Sequence, residues 1–307
     1  MRPYRSVLFV PGHKPGWVDK AIASGADCVV LDLEDSVPAD LKADARATVA
    51  ESIRRVRQTG SDVGLFVRVN PLDTRQTGMD LEAVAVPGLT GVFPPKIAAA
   101  SDVLRYDALV DHVEERNGVG GLEYIVPVEM VGAIQEARRI ASASPRVGAM
   151  IGPTAEHADI ARAVGYRWTP EGEETLYLRS RVLLACREAG IHPLTGLWER
   201  LDDVTGLKAF AERGRQLGFR GMIAIHPSHV ATVNEAFTPT PDEVAFHEGL
   251  VAAYTEAAAA GHGAVRYRGV HIDAAHADTA RDWLAHARSL PGGASPGVGF
   301  DAPEGGR

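Results

Sequence analysis

Short apolar runs recur along the chain, and each stops at a charged residue, a proline or a glycine. The clearest is Val29-Val30-Leu31-Asp32-Leu33-Glu34-Asp35-Ser36-Val37, which opens without polar alternation and closes on acids. Such a run suits a strand buried on both faces, the kind found in parallel sheets covered by helices. The same signature recurs at 7–10 before Pro11-Gly12-His13-Lys14, at 65–70 before Pro71, and at 91–93 before Pro94-Pro95-Lys96. It returns at 124–128 before Glu129, at 147–151, at 193–196, and at 221–225 before His226-Pro227. Between these runs the period turns helical, over 17–24, from 40 to about 57, and over 174–189. Eight strands, each followed by a helix or helical turn, predict an α/β fold of the closed (β/α)8 TIM-barrel type. A doubly wound sheet would want a glycine-rich phosphate loop after its first strand, and none follows here.

Beyond Pro227 the pattern changes. Helical segments at 241–260 and 274–289 flank Gly261-His262-Gly263 and a strand-like stretch at 264–270. The chain therefore divides into a barrel over 1–236, a C-terminal helical extension over 237–289, and a Gly-, Pro- and Ala-rich segment over 290–307 that reads as a disordered tail. With 307 residues, 45% hydrophobic and 23% charged, one large barrel fits. No stretch is apolar enough to span a bilayer, and no export signal precedes the first strand, so a cytoplasmic enzyme is expected, without a membrane partner. Cys28 and Cys186 sit inside apolar segments and read as small core residues. A net charge of -8, without clustered Lys and Arg, argues against a nucleic-acid surface.

Candidate chemistry gathers where the strands end: His13 and Lys14; Asp32, Glu34 and Asp35; Arg68 and Asn70; Lys96; Glu129; Glu156, His157 and Asp159; Thr195; and His226. Barrel interiors are filled by branched apolar side chains, so polar groups recurring at one rim mark that rim as the site. Taken singly, Lys96, Thr195 and His226 also suit turns and caps. Arg68 and Glu129 are embedded in buried strands, where an unpaired charge costs several kcal/mol, so each needs a partner of opposite sign or a metal. Carboxylates without cysteine ligands suit a hard cation such as Mg²⁺, with Glu129 as the first ligand and an acid from 156–159 as the second. An internal Glu129–Arg68 salt bridge is the alternative.

Arg5-Ser6-Val7-Leu8-Phe9-Val10-Pro11-Gly12, Leu31-Asp32-Leu33-Glu34-Asp35-Ser36-Val37, Val67-Arg68-Val69-Asn70-Pro71, Pro95-Lys96 and Ile225-His226-Pro227-Ser228 together resemble the citrate lyase beta subunit-like proteins. These stand within the larger family of HpcH/HpaI aldolases and malyl-CoA or citramalyl-CoA lyases. The resemblance runs from Arg5 to about Ala287. It implies a (β/α)8 barrel, Mg²⁺ with Mn²⁺ as a substitute, a CoA thioester and a 2-oxo acid as reactants, and a homotrimer or hexamer.

By position, Glu129 matches the family's first metal-binding glutamate, with Met130 where a threonine is usual. Arg68 matches the arginine on the substrate oxygens, and Glu34 and Asp35 match acids near the metal's water shell. Gly269-Val270-His271-Ile272-Asp273 resembles a segment laid over a neighbouring subunit's barrel mouth, which would make Asp273 a catalytic acid acting in trans. The second metal ligand departs from the pattern. Counting forward from Gly152 reaches Ala155, whereas counting back from the segment 165–172 reaches Asp159, which is preferred, with Glu156 as the fallback and His157 facing the site.

The resulting expectation is Claisen-type chemistry. A metal polarises the oxo-acid carbonyl, Asp273 removes a proton beside the thioester, and Arg68 stabilises the enolate. Lys96 is a further substrate contact, and His13, Lys14 and Arg5 are candidates for the CoA phosphates. A metal-dependent aldolase acting on free 2-oxo acids, or a non-catalytic beta subunit of a citrate lyase, are the competing readings.

Overall fold

The computed structural model describes residues 1–291; the remainder, including most of the expected disordered tail, lies outside the described residues. Eight parallel strands form a closed barrel in chain order. They are β1 (Ser6–Pro11), β2 (Cys28–Asp32), β3 (Gly64–Arg68), β4 (Gly91–Phe93), β5 (Glu123–Pro127), β6 (Val147–Gly152), β7 (His192–Thr195) and β8 (Met222–Ala224). Closure comes from β1 pairing with both β2 and β8.

The intervening helices are α1 (Pro15–Ala23), α2 (Lys42–Gln58), α3 (Thr77–Val84), α4 (Ala100–Asn117), α5 (Val131–Ala141), α6 (Asp159–Val164), α7 (Leu176–Ala189), α8 (Val204–Leu217) and α9 (Pro227–Phe237). Their boundaries have local causes. Pro15 opens α1 at a position where a missing N–H costs nothing, and Asp203 caps α8 by accepting from the Gly206 N–H at 2.8 Å.

Strand side chains alternate between two cores. Cys28 and Val30 point into the barrel with Val7, Phe66, Phe93 and Ile125, while Val29 and Leu31 pack outward with the helices. Both faces of β2 are thus apolar, which is why its sequence shows no alternation. Both cysteines are buried. The apolar run from Val29 stops being strand at Asp32, earlier than its hydrophobicity suggests. There the Asp32 carboxylate accepts from the Glu34 N–H at 2.8 Å and the Ser36 N–H at 3.1 Å, folding the next residues into a turn.

Among the described residues, those from Thr238 form a second unit, built on α10 (Pro241–Ala259) and α11 (Ala274–Ser289). Thr240 and Glu243 cap α10 reciprocally, at 3.2 Å and 2.8 Å. The strand-like stretch resolves into a hairpin, β9 (Ala264–Tyr267) and β10 (Val270–Asp273). Its two-residue turn, Arg268 and Gly269, takes φ of 44° and 87°, as a tight hairpin requires. Ile272, Leu250, Ala277 and Ala280 form the unit's core. No helix among the described residues is long and apolar enough to cross a membrane.

Gly91 tests the tightness of this barrel. A Cβ there would stand 2.1 Å from the Glu123 carbonyl oxygen and 2.5 Å from the Phe66 ring. Gly91→Ala is expected to lower stability by about 1–3 kcal/mol in urea denaturation. Gly78→Ala, in α3 with open space around it, should be neutral or slightly stabilising.

Candidate active site

Parallel register sets the first contact. Asp32 ends β2 and Arg68 ends β3, and the two are Cα partners across the strands. Arg68 grips Asp32 with two parallel bonds, Nε to Oδ1 and Nη2 to Oδ2, both 2.6 Å. Its Nη1 lies 3.0 Å from Glu34 Oε2 and 3.5 Å from Asp35 Oδ2, and the guanidinium sits 5.2 Å from the Phe9 ring centroid. Burial pushes the Asp32 carboxyl up, but the Arg68 bonds and charge outweigh it and hold Asp32 below its usual range. Burial works against the Arg68 charge too, and the bonds to Asp32 more than offset it, so Arg68 stays cationic. The alternative Glu129–Arg68 salt bridge does not form, because the acids of the adjacent β2 end take the guanidinium first.

Lys42, near the start of α2, stitches this turn to β3. Its Nζ donates to the carbonyls of Leu33 at 2.7 Å and Glu34 at 2.8 Å and to Asn70 Oδ1 at 2.6 Å. Asn70 is held in turn by Asp80, whose Oδ2 accepts from both Asn70 nitrogens at 2.7 Å. Nothing in the sequence singles out Lys42, a surface-type residue on a charged helix.

Across the mouth, Lys96 follows β4 in the left-handed region, with φ of 54°. That conformation aims its backbone N–H at Glu129 Oε1, at 2.6 Å. Among the described residues Glu129 has no cation within 4.0 Å, and burial pushes its carboxyl up. The Lys96 Nζ lies 3.2 Å from Glu34 Oε1 and 4.0 Å from Asp159 Oδ2. Glu34 is 4% exposed, and burial, against Arg68 and with Asp35 and Glu129 adding, moves it from 4.5 to about 7.

Asp32, Asp35, Arg68, Lys96, Glu129 and Asp159 share one cavity of about 890 Å³. Asp159, the first residue of α6, turns one oxygen to Arg162 at 2.8 Å. A half-buried carboxylate with one hydrogen bond and no cation within 4.0 Å, sharing its cavity with the Asp159 carboxylate, offers the oxygen ligands that a hard divalent cation of the Mg²⁺ class takes.

Several expectations need correction. Arg5 precedes β1 and therefore sits at the opposite end of the barrel, where its backbone and guanidinium donate to Asp27 at 2.8–2.9 Å. His13 and Lys14 do not line the cavity; Trp17 and Lys20, farther along α1, do. Sequence alone missed both, because facing the mouth depends on how α1 lies on the barrel. Glu156 does not line the cavity either. It turns to Arg200 at 3.3 Å and groups with His157 and Glu199, their ligand atoms within 4.8 Å of one another. The Arg200 charge there disfavours a metal. His157 lines the cavity but pairs with Glu199 at 2.8 Å. Thr195 is buried, and His226 lines the cavity while bonded to Ser228 at 2.7 Å. Asp273 stands in the second unit, capping α11 and bonded to His276 Nδ1 at 2.6 Å, which holds its carboxyl below the usual range.

The sequence model of the HpcH/HpaI aldolase/citrate lyase family matches residues 5–227. An L-malyl-CoA/beta-methylmalyl-CoA lyase of Cereibacter sphaeroides is 37% identical, over 89% of this chain and 91% of its own. A citrate lyase subunit beta-like protein of Deinococcus radiodurans is 35% identical, over 92% and 96%. A (3S)-malyl-CoA thioesterase of Cereibacter sphaeroides is 33% identical, over 94% and 96%. Among solved structures, Mycobacterium tuberculosis CitE in complex with magnesium, acetoacetate and coenzyme A is 27% identical with a TM-score of 0.71, over 93% of this chain and 98% of that one. A citrate lyase from Burkholderia xenovorans, 19% identical over 97% and 94%, has a TM-score of 0.81 and speaks to the fold alone.

Glu34 gives the site a pH signature. In the folded chain it keeps its proton up to about 7, against 4.5 ordinarily, so stability is highest at the acid end and falls as pH rises through that window. Urea denaturation from about pH 5 to pH 8 should show this loss, up to roughly 3 kcal/mol, and Glu34→Gln should remove most of it.

Proposed function

The chain belongs to the HpcH/HpaI aldolase/citrate lyase family, and from that membership and the geometry of the rim we propose a Mg²⁺-dependent lyase that cleaves, or forms, a malyl-CoA-type 3-hydroxyacyl-CoA. The products of cleavage are an acyl-CoA and a 2-oxo acid. The observation that carries this reading is Glu129, a half-buried carboxylate that accepts the Lys96 amide and lines a cavity that Asp159 shares. Glu129 and Asp159 would hold the cation, with Mn²⁺ able to replace Mg²⁺. When bound, the ion supplies Lewis-acid polarisation of the oxo-acid carbonyl.

The chain's own residues do the rest. Arg68, fixed by Asp32, presents a permanent positive charge at the cavity wall, where a substrate carboxylate or enolate oxygen can rest. Its rigidity means that little reorganisation accompanies the charge that develops. Lys96 reaches the same region from the β4 end, and Glu34 lies between these two cations, 3.0 Å from Arg68 Nη1 and 3.2 Å from Lys96 Nζ. Lys20 and Arg162 at the cavity edge are placed for a CoA phosphate, a role that Arg5 cannot fill.

In this reading the second unit packs on a neighbouring copy in a trimer or hexamer in the cytoplasm. Asp273 is then the general base in trans. It takes the proton beside the thioester carbonyl in condensation and returns it in cleavage. His276 keeps Asp273 ionised for that purpose.

The test is product analysis by mass spectrometry after incubation with Mg²⁺ and malyl-, methylmalyl- or citramalyl-CoA. Cleavage to acyl-CoA and oxo acid is expected for at least one, with chelation of the metal abolishing it. Glu129→Gln should lower kcat/KM by roughly 10³-fold, the several kcal/mol that a Lewis acid supplies. Undiminished activity of Glu129→Gln would refute the metal assignment. Cleavage of free hydroxy acids without CoA would favour the aldolase reading.

A further inference from the structure

Away from the active site, the barrel buries an arginine more deeply than Arg68. Arg179 of α7 is 4% exposed, yet among the described residues no carboxylate lies within 4.0 Å of it. Its Nη2 donates to the Gly172 carbonyl at 2.6 Å, and its Nε is buried without an acceptor. The nearby acid, Glu174, is engaged elsewhere, accepting from Thr169 N at 3.0 Å and Thr169 Oγ1 at 2.8 Å. Arg213 of α8 is likewise without an acid partner among the described residues, and its Nη1 donates to the Pro170 carbonyl at 2.6 Å. Both arginines line a cavity of about 210 Å³, together with Glu171, Gly172, Glu173, Leu176, Gln216 and Leu217.

A guanidinium removed from water without a counter-ion costs several kcal/mol. A second cation on the same cavity adds to that cost. Arg179 and Arg213 line one small space and each keeps guanidinium N–H groups beyond the one its backbone carbonyl takes, so an oxyanion there could satisfy both. We propose that the cavity between α7, α8 and the 170–173 turn binds a small phosphate-class oxyanion, either free orthophosphate or a single phosphoryl group on a larger molecule. Glu171 and Glu173 at its exposed edge, with the small volume, select against polyphosphates and other extended anions. Burial, with Arg213 adding and Glu174 opposing, pushes the Arg179 guanidinium below its usual range, the direction that a missing counter-ion predicts. None of the residues of this site line the larger cavity, so the proposal stands apart from the lyase reading.

The test uses the full chain, with inorganic phosphate and glycerol 3-phosphate as separate probes. Thermal unfolding and titration calorimetry are compared with chloride at matched ionic strength. A saturable rise in Tm is expected for at least one probe, and the probe that works identifies the source of the anion. Arg213→Gln, at a half-buried position, should weaken that Kd about tenfold or more while leaving the far-UV spectrum unchanged. Arg179→Lys, which keeps the charge but loses the fork, should weaken it too. The proposal fails if neither probe exceeds chloride, or if Arg213→Gln binds as tightly as the parent, which would place the anion in the larger cavity instead.

Discussion

The bidentate pairing of Arg68 with Asp32 is the constraint from which the rest of the rim follows. Two strands buried on both faces can carry charges at their ends only if those charges meet, and the parallel register brings them opposite each other. Once Asp32 is neutralised by Arg68 and bonded to the Glu34 and Ser36 amides, the chain turns sharply. That turn points Glu34 at both Arg68 and Lys96, and leaves Asp35 at the cavity edge. With its N–H groups turned to the acids of the β2 end, Arg68 forms no ion pair with Glu129 within 4.0 Å. The unpaired carboxylate that suits a metal is therefore a consequence of a pairing made elsewhere.

Lys96 shows the same logic on the backbone. A non-glycine residue in the left-handed region costs of order 1 kcal/mol, and such conformations persist where the surroundings over-determine them. Here the conformation turns the amide toward Glu129 while the side chain reaches Glu34. One residue thereby orients the candidate metal ligand and screens the acid beside it.

Two arginines withdrawn from solvent to different degrees, Arg68 and Arg179, differ in what surrounds them. Arg68 is charged amid three acids, and its environment holds that charge in place. Arg179 is more enclosed than Arg68, yet it meets a backbone carbonyl and lines a small cavity. Burial opposes the charge of both; what differs is whether the fold supplies the compensating anion or leaves it to solution.

Read by itself, the chain was enough to assign the barrel, because eight apolar runs ending in polar residues admit few other arrangements, and enough to place Arg68, Lys96, Glu129 and Asp159 at strand ends. Periodicity places those residues, the cost of an unpaired buried charge singles out Arg68 and Glu129, and the preference for Asp159 came from the family resemblance. Tertiary structure alone decided the pairings. Which acid Arg68 takes depends on the register between β2 and β3. Whether Glu156 or Asp159 faces the cavity depends on the path of the loop after β6 and the pull of Arg200. That Trp17 and Lys20, rather than His13 and Lys14, reach the mouth depends on how α1 lies across β1. The turn at Arg268 and Gly269 folded one strand-like stretch into two because a local φ change is invisible to hydrophobicity. In each case the deciding energy lies between residues far apart in sequence, or in a backbone angle, and neither leaves a trace in the order of apolar and polar letters.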